Sequence, residues 1–313
     1  MSSAGNAGGL RHNTMVGLKA LTTATPATPQ PALKKAQGAK GKIVDRVERD
    51  DDGEKNRRRY MAEHEEEASE AGLELPAGHS SGLRWFDGEA FRKDAKGREV
   101  PPSYADVDQG NLADAWLLAT CAAVAHAAPA TLLRRVRRRS ARDFVVELAD
   151  EAVVVKPEFP IEGYADPLPQ GQKDTLWVAL VEKAFAHWEA GAYANLETGN
   201  AARALELLTG KPSRRISLAD HLPFERAFSR LREARRGGAP IVLKTRGING
   251  LTEPLVPEHH YAVLDVLELE GEKQLRVYNP WGSGGGTRAV EAMVHTLSAT
   301  TLSRDFEAAF VGG

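Results

Sequence analysis

The stretch Gln109-Gly110-Asn111-Leu112-Ala113-Asp114-Ala115-Trp116-Leu117-Leu118 runs directly into an apolar segment that continues to Ala127. Leu112, Trp116, Leu117, Leu118, Ala119, Ala122, Ala123, Val124 and Ala127 leave no polar face, so 112–127 reads as a helix buried inside a domain. Its polar residues gather at the entry. Gly110 allows a tight turn or close backbone approach. Asp114 suits a first turn, and Ala115 sits where N–H groups lack partners within the helix. A cysteine there would have its thiolate favoured by the helix dipole. Alanine supplies no nucleophile.

Outward from this segment, the first half stays mostly helical. Arg134-Arg135-Val136-Arg137-Arg138-Arg139 lacks interleaved aromatics and is expected to be a solvated helix end rather than a nucleic-acid patch. Residues 144–148 and 152–155 are two short apolar runs around Ala149-Asp150-Glu151, which predicts a hairpin. Asp174 is expected to cap a helix reaching about Trp188, with Leu176, Leu180, Ala184 and His187 at helical spacing. Another helix ends at Leu208, with Gly210 as its stop. In the second half, 222–236 is an amphipathic helix closed by Gly237-Gly238. Residues 241–243, 261–269 and 274–278 follow as strands, with Gly271 at the turn between the last two.

The opening block resembles the calpain family's Q-G-x-L-G-D-C-W-L-L, and further blocks follow in the family's order. Residues 143–155 resemble its short hairpin, Leu176-Trp177-Val178-Ala179-Leu180-Val181-Glu182-Lys183-Ala184-Phe185 its W-x-A-L-L-E-K-A-Y helix, and Leu208-Thr209-Gly210 its F-T-G turn. His259-His260-Tyr261-Ala262-Val263 is similar to H-A-Y-S-V, Leu275-Arg276-Val277-Tyr278-Asn279-Pro280-Trp281-Gly282 to L-I-R-x-R-N-P-W-G, and Leu302-Ser303-Arg304-Asp305-Phe306 to M-S-F-x-D-F. The resemblance spans about 82–310. It implies an α+β, papain-like two-lobed cysteine protease core, with a helical lobe over about 79–210, a β-rich lobe over about 211–313, and the site in the cleft between them.

A thiol protease needs a nucleophile, a base, a group that orients the base and donors for the oxyanion. The resemblance places Ala115 at the nucleophile position, where cysteine is expected, and Asn279 as the residue that holds the imidazole. Gln109 would donate its amide N–H to the oxyanion, and Trp281 would shield the His–Asn pair from water. Two histidines compete for the base. Alignment on Tyr261 and Val263 selects His259, and strand alternation puts His259 with Tyr261 and Val263 on one face and His260 with Ala262 on the other.

Cys121 is a poor substitute for the missing thiol, lying deep in the helix and about 240° around from position 115. Ala115 is either a replacement made in a working enzyme or the natural residue of a pseudoprotease that binds peptides or partners. The completeness of the remaining set favours the first. Calpain-type calcium is not expected, and no cofactor is called for. Asp106 matches an acidic ligand position, but its expected partner is Ala194, and 283–287 replaces the usual E-W-x-G-x-W segment; calcium prefers several oxygen ligands.

Residues 1–78 form a differently composed extension. Up to Gly41 it is rich in Ala, Gly, Thr and Pro, and reads as a flexible leader. Asp50-Asp51-Asp52, Arg57-Arg58-Arg59 and Glu65-Glu66-Glu67 then make a charged helical or disordered segment, with self-inhibition or docking of a regulatory partner as its sharper role. The 313 residues carry a net charge of −2 and 42% apolar residues. Bulk electrostatics therefore nominate neither nucleic acid nor membrane, and the expected partner is a protein or peptide substrate. One cysteine excludes an internal disulfide and fits a reducing compartment. With no signal-peptide core and no run near the roughly 20 apolar residues of a span, the expected location is cytoplasmic, with signal-independent export still open. The Ala-, Arg- and Gly-rich composition points to a GC-rich bacterial source.

Overall fold

A computed structural model describes residues 83–110, 112–160, 175–218, 223–282 and 290–313. The extension at 1–78, the capping role of Asp174 and the 283–287 segment lie outside these residues. The α+β class expected from the sequence holds. Helices α1 (Ala115–Ala127), α2 (Pro129–Arg135), α3 (Trp177–Phe185) and α4 (Ala201–Thr209) precede α5 (Phe224–Arg236) and the short α6 (Thr301–Arg304). Strands β1 (Leu83–Trp85) and β5 (Glu158–Pro160) pair with each other, while β2 (Val136–Arg138), β3 (Phe144–Leu148) and β4 (Glu151–Val155) form a second small sheet. The main sheet is antiparallel in the order β10-β9-β8-β7-β11-β6. It is built from β6 (Ser213–Ser217), β7 (Ile241–Thr245), β8 (His260–Leu269), β9 (Glu272–Tyr278), β10 (Val294–Ser298) and β11 (Phe306–Gly312).

Helix α1 is the central element. Every residue from Ala115 to Ala125 is buried, as a stretch without a polar face requires. It packs along β8 and β7, with α4 beside it. The main sheet alternates accordingly: Val242, Ala262, Leu264, Ala308 and Phe310 join the core around α1. Ile241, Leu243, Tyr261, Val263, Ala309 and Val311 face the opposite way, against Phe228 and Leu231 of α5. A register shift between Val263 and Asp265 moves Val266 onto the α5 side, the usual effect of a bulge on strand alternation. Truncating a fully buried leucine of α1 such as Leu118 is expected to cost about 2–5 kcal/mol.

Several local expectations are corrected. The buried helix begins at Ala115 rather than Leu112, with Asp114 as its N-cap. The arginine run is not one helix end: Arg134 and Arg135 close α2, whereas Val136, Arg137 and Arg138 form β2 on β3. Its guanidinium groups are used in structure. Arg135 donates to the carbonyls of Glu147 and Ala149, Arg137 pairs with Glu147, and Arg138 lies 4.5 Å over the Phe144 ring. Helix α3 is capped by Leu176 and passes at Phe185 into a π-turn, Ala186–Ala190. Leu83-Arg84-Trp85 pairs antiparallel with Glu158–Pro160.

Candidate active site

The entry to α1 is tied to the end of β9. Gln109 N–H donates to Pro280 O at 2.8 Å, and Tyr278 Oη donates to Val107 O at 2.6 Å. Gly282 has φ +56, and a Cβ there would come within 2.7 Å of Asp108 Cα. Position 282 therefore needs glycine both for its left-handed conformation and for that close approach. The turn 279–282 is pressed against 107–109, just ahead of Ala115.

His259 precedes β8 and is held by β7. Thr245 Oγ1 accepts the His259 N–H at 2.8 Å and donates to Val256 O at 2.6 Å, and Thr245 N–H donates to His259 O at 2.9 Å. His259 Nε2 lies 2.9 Å from Asn279 Oδ1. Asn279 Oδ1 also accepts the backbone N–H of Trp281 at 3.1 Å; a backbone N–H can only donate, so the oxygen assignment is fixed. Nε2 therefore carries the hydrogen, and Nδ1 keeps its lone pair. The Trp281 ring lies 4.8 Å from the His259 ring, and that of Tyr261 lies 5.0 Å away. Trp281 thus covers the imidazole while its own outer face remains 43% exposed. His259 and Asn279 are both buried. Burial holds the His259 imidazole below its ordinary pKa, with the Asn279 hydrogen bond opposing the shift.

His260 points elsewhere. Its ring stacks 6.3 Å from Phe310, and its pKa is pushed down to about 3 by burial, then by His259 and Lys244. Of the two histidines, His259 is the one on Asn279.

Ala115 is the first residue of α1, so its N–H has no acceptor within the helix. The carboxyl of Asp114, just before it, takes no cap hydrogen bond. Gln109 is turned inward: Nε2 donates to Leu112 O at 2.6 Å and to Asp114 Oδ1 at 3.3 Å. Its amide hydrogens are therefore committed within the loop, where the sequence led us to expect one facing the cleft. Cys121 is fully buried. Its thiol is pushed well up by burial, then by Asp114 and Glu182, so it offers no thiolate.

A calcium ion of the type implied by the resemblance does not fit the described residues. Asp106 Oδ2 accepts the Ser103 N–H at 2.8 Å and the Trp177 indole N–H at 3.1 Å, while Oδ1 faces Arg92 at 3.3 Å. The carboxylate is satisfied by a capping box and an indole, and Ala194, in the turn Tyr193–Glu197, supplies no oxygen from its side chain. Among the described residues, no single helix is long and apolar enough to cross a membrane.

Sequence reasoning missed Thr245, whose hydroxyl sets the His259 backbone, and the buried Asp114–Glu182 contact beneath position 115. The second had a signal: an acid directly after the apolar run Trp177–Val181 that opens α3.

The constellation is a neutral imidazole with a fixed tautomer and a covering indole, on a turn tied to the 107–109 loop; an imidazole in this state can accept a proton. Comparison with known proteins bears on the family. Calpain-like protease palB of Emericella nidulans is 34% identical over 130 residues, covering 39% of this chain and 14% of that protein. Calpain-type cysteine protease DEK1 of Zea mays is 28% identical over 205 residues, covering 57% and 9%. Calpain-7 of Homo sapiens is 30% identical over 138 residues, covering 41% and 17%. The chain thus spans less than a fifth of the length of each of these relatives. They are fungal, plant and animal proteins and lend no support to a bacterial source. The calpain family cysteine protease domain matches residues 78–287, and the chain belongs to that family.

Proposed function

We propose that His259, Asn279, Trp281 and Gln109 form a calpain-like cysteine endopeptidase centre, suited to limited proteolysis, in which Ala115 stands where the nucleophile belongs. The observation that carries this reading is the His259 Nε2 contact to Asn279 at 2.9 Å, made beneath Trp281 on a turn tied to the 107–109 loop that leads into α1. With cysteine at 115, the free Nδ1 of His259 would take the thiol proton. The thiolate would then attack the scissile carbonyl, with the N–H of residue 115 and the Gln109 amide as oxyanion donors. Collapse of the tetrahedral adduct breaks the C–N bond. The imidazolium returns its proton to the leaving amine, and water, deprotonated by the same imidazole, hydrolyses the thioester. Without the nucleophile a comparable triad loses about 10⁶ in rate, so the chain as it stands binds an extended polypeptide without cutting it. No step needs a cofactor.

A second reading, a natural pseudoprotease that serves as a binding scaffold, draws on the inward-turned Gln109 amide. We place the protein in the cytoplasm, with the 1–78 extension as a regulatory or self-inhibiting arm. The test is to prepare Ala115→Cys and incubate it with itself and with a denatured protein substrate. Cleavage that alkylation abolishes supports the endopeptidase. A folded Ala115→Cys protein that binds substrate but cuts nothing refutes it in favour of the scaffold.

A further inference from the structure

Two acids lie in the apolar interior behind position 115. Asp114 is 0% and Glu182 of α3 is 1% exposed, the two carboxyl groups are neighbours, and Asp114 Oδ2 is buried with no hydrogen-bond donor of its own. Two buried carboxyl groups can meet in this way only when a proton lies between them. Burial supports that state, pushing Asp114 up to about 7. The groups that face Asp114 are Glu182 from α3, Gln109 from the entry loop and, within α1, Cys121, whose thiol the two acids help to hold protonated.

Gln109 connects this pair to the site. Its backbone is bonded to Pro280, next to Asn279, while its Oε1 is buried without a hydrogen-bond partner. Of its two Nε2 bonds, the 2.6 Å one to Leu112 O anchors the amide, and the 3.3 Å one to Asp114 Oδ1 holds the hydrogen that an oxyanion would need. A full carboxylate would grip that hydrogen strongly, since charge-assisted bonds are roughly twice as strong as neutral ones. Sharing a proton with Glu182 draws charge off Asp114.

We propose that Asp114 and Glu182 are positioning residues: their shared proton keeps Asp114 a weak acceptor, so that Gln109 is aimed by Leu112 O and Asp114 yet can release one N–H to the substrate oxyanion. This rests on the proposed protease reading. In the Ala115→Cys enzyme, Gln109→Ala is expected to lower kcat by the ~10²–10³ typical of one oxyanion donor, with little change in KM. Asp114→Ala is expected to lower kcat by at least about tenfold on its own and to add nothing in the Gln109→Ala background, because residues acting through one group are not additive. Glu182→Gln, which can still donate to Asp114, retains more of kcat than Glu182→Ala.

Additive losses would mean that Asp114 acts only on stability, and would overturn the proposal. A readout independent of turnover is the infrared C=O stretch of a protonated carboxyl at pH 7. It should be present in the unrevived chain and lost in the Asp114→Asn/Glu182→Gln double variant; absence from the parent also overturns the proposal. If Ala115→Cys turns nothing over, the protease reading fails, and the infrared band alone decides whether the pair shares a proton.

Discussion

Replacing Asn279 with alanine removes the one oxygen that both His259 Nε2 and the Trp281 N–H use, at 2.9 and 3.1 Å. Asn279 is 4% exposed, so water does not freely take its place. A buried donor left without an acceptor costs about 1–3 kcal/mol. Trp281 N–H carries that cost in full. His259 can escape part of it by moving its hydrogen to Nδ1, which leaves Nε2 as an acceptor. The expected loss is therefore about 2–4 kcal/mol, or a fall in Tm of about 4–16 °C for a folded part of this size. Stability is read by urea unfolding of the chain as it stands, and the tautomer by nitrogen chemical shifts of the His259 ring. The escape route has a functional consequence. A hydrogen on Nδ1 occupies the lone pair that should receive the thiol proton, so Asn279→Ala in the Ala115→Cys enzyme should lose activity on the scale of a wrong-tautomer triad, about 10⁴. His259 should also titrate lower, since the Asn279 bond is what opposes the effect of burial. An Asn279→Ala protein within about 0.5 kcal/mol of its parent, with the His259 tautomer unchanged, would refute the reasoning.

Further predictions concern the elements around this pair. Gly199→Ala would place a Cβ 2.0 Å from Trp116 Cε2, and the indole is held by its 2.7 Å bond to Leu196 O; overpacking plus loss of that bond should cost about 2–4 kcal/mol by urea unfolding, and no loss would mean that the indole is not held there. His260 is held down to about 3, first by burial, whereas in the unfolded chain it titrates near 6.5, so its contribution to stability is complete above about pH 6.5 and is lost as pH falls towards 3. Between pH 7 and 4.5 that loss is on the order of 2–3 kcal/mol; His260→Phe should flatten the acid limb of unfolding free energy by this amount, and an unchanged limb would contradict it. In the Ala115→Cys enzyme, His259→Ala should abolish peptide cleavage and His260→Ala should leave most of it, and the reverse would reassign the base.

The parts of this molecule that could be read in the sequence are those where side-chain pattern and backbone agree. The 112–127 run has no polar face, and from Ala115 onward it is the buried helix. The 3-residue separation of the two apolar runs at 144–155 gave a hairpin, although β4 begins at Glu151. Gly210 and Gly271 sit at positive φ, 69° and 85°, where stops and tight turns place glycine. The strands that escaped notice hid their pattern. Ser213–Ser217 buries only Ile216 among polar neighbours, and β2 lies inside an arginine run whose charge outweighed its single buried valine. At the site, alternation along β8 separated His259 from His260 because their neighbours face opposite cores. The inward turn of Gln109 was not legible, because it depends on Asp114 being buried against Glu182, and that contact is set by how α3 packs on α1 rather than by local sequence.

The central claim is that the start of α1 and His259 together form a thiol-activating pair from which the sulfur is missing. Its most direct test is the pH dependence of iodoacetamide alkylation at position 115 in Ala115→Cys, with the buried Cys121 as the slow internal reference. A thiolate held by the imidazolium and the helix dipole should react fully down to about pH 5, well below the ordinary thiol pKa near 8.5, and His259→Ala should move the profile back towards that value. An introduced thiol that titrates as an ordinary one whether or not His259 is present would contradict the account.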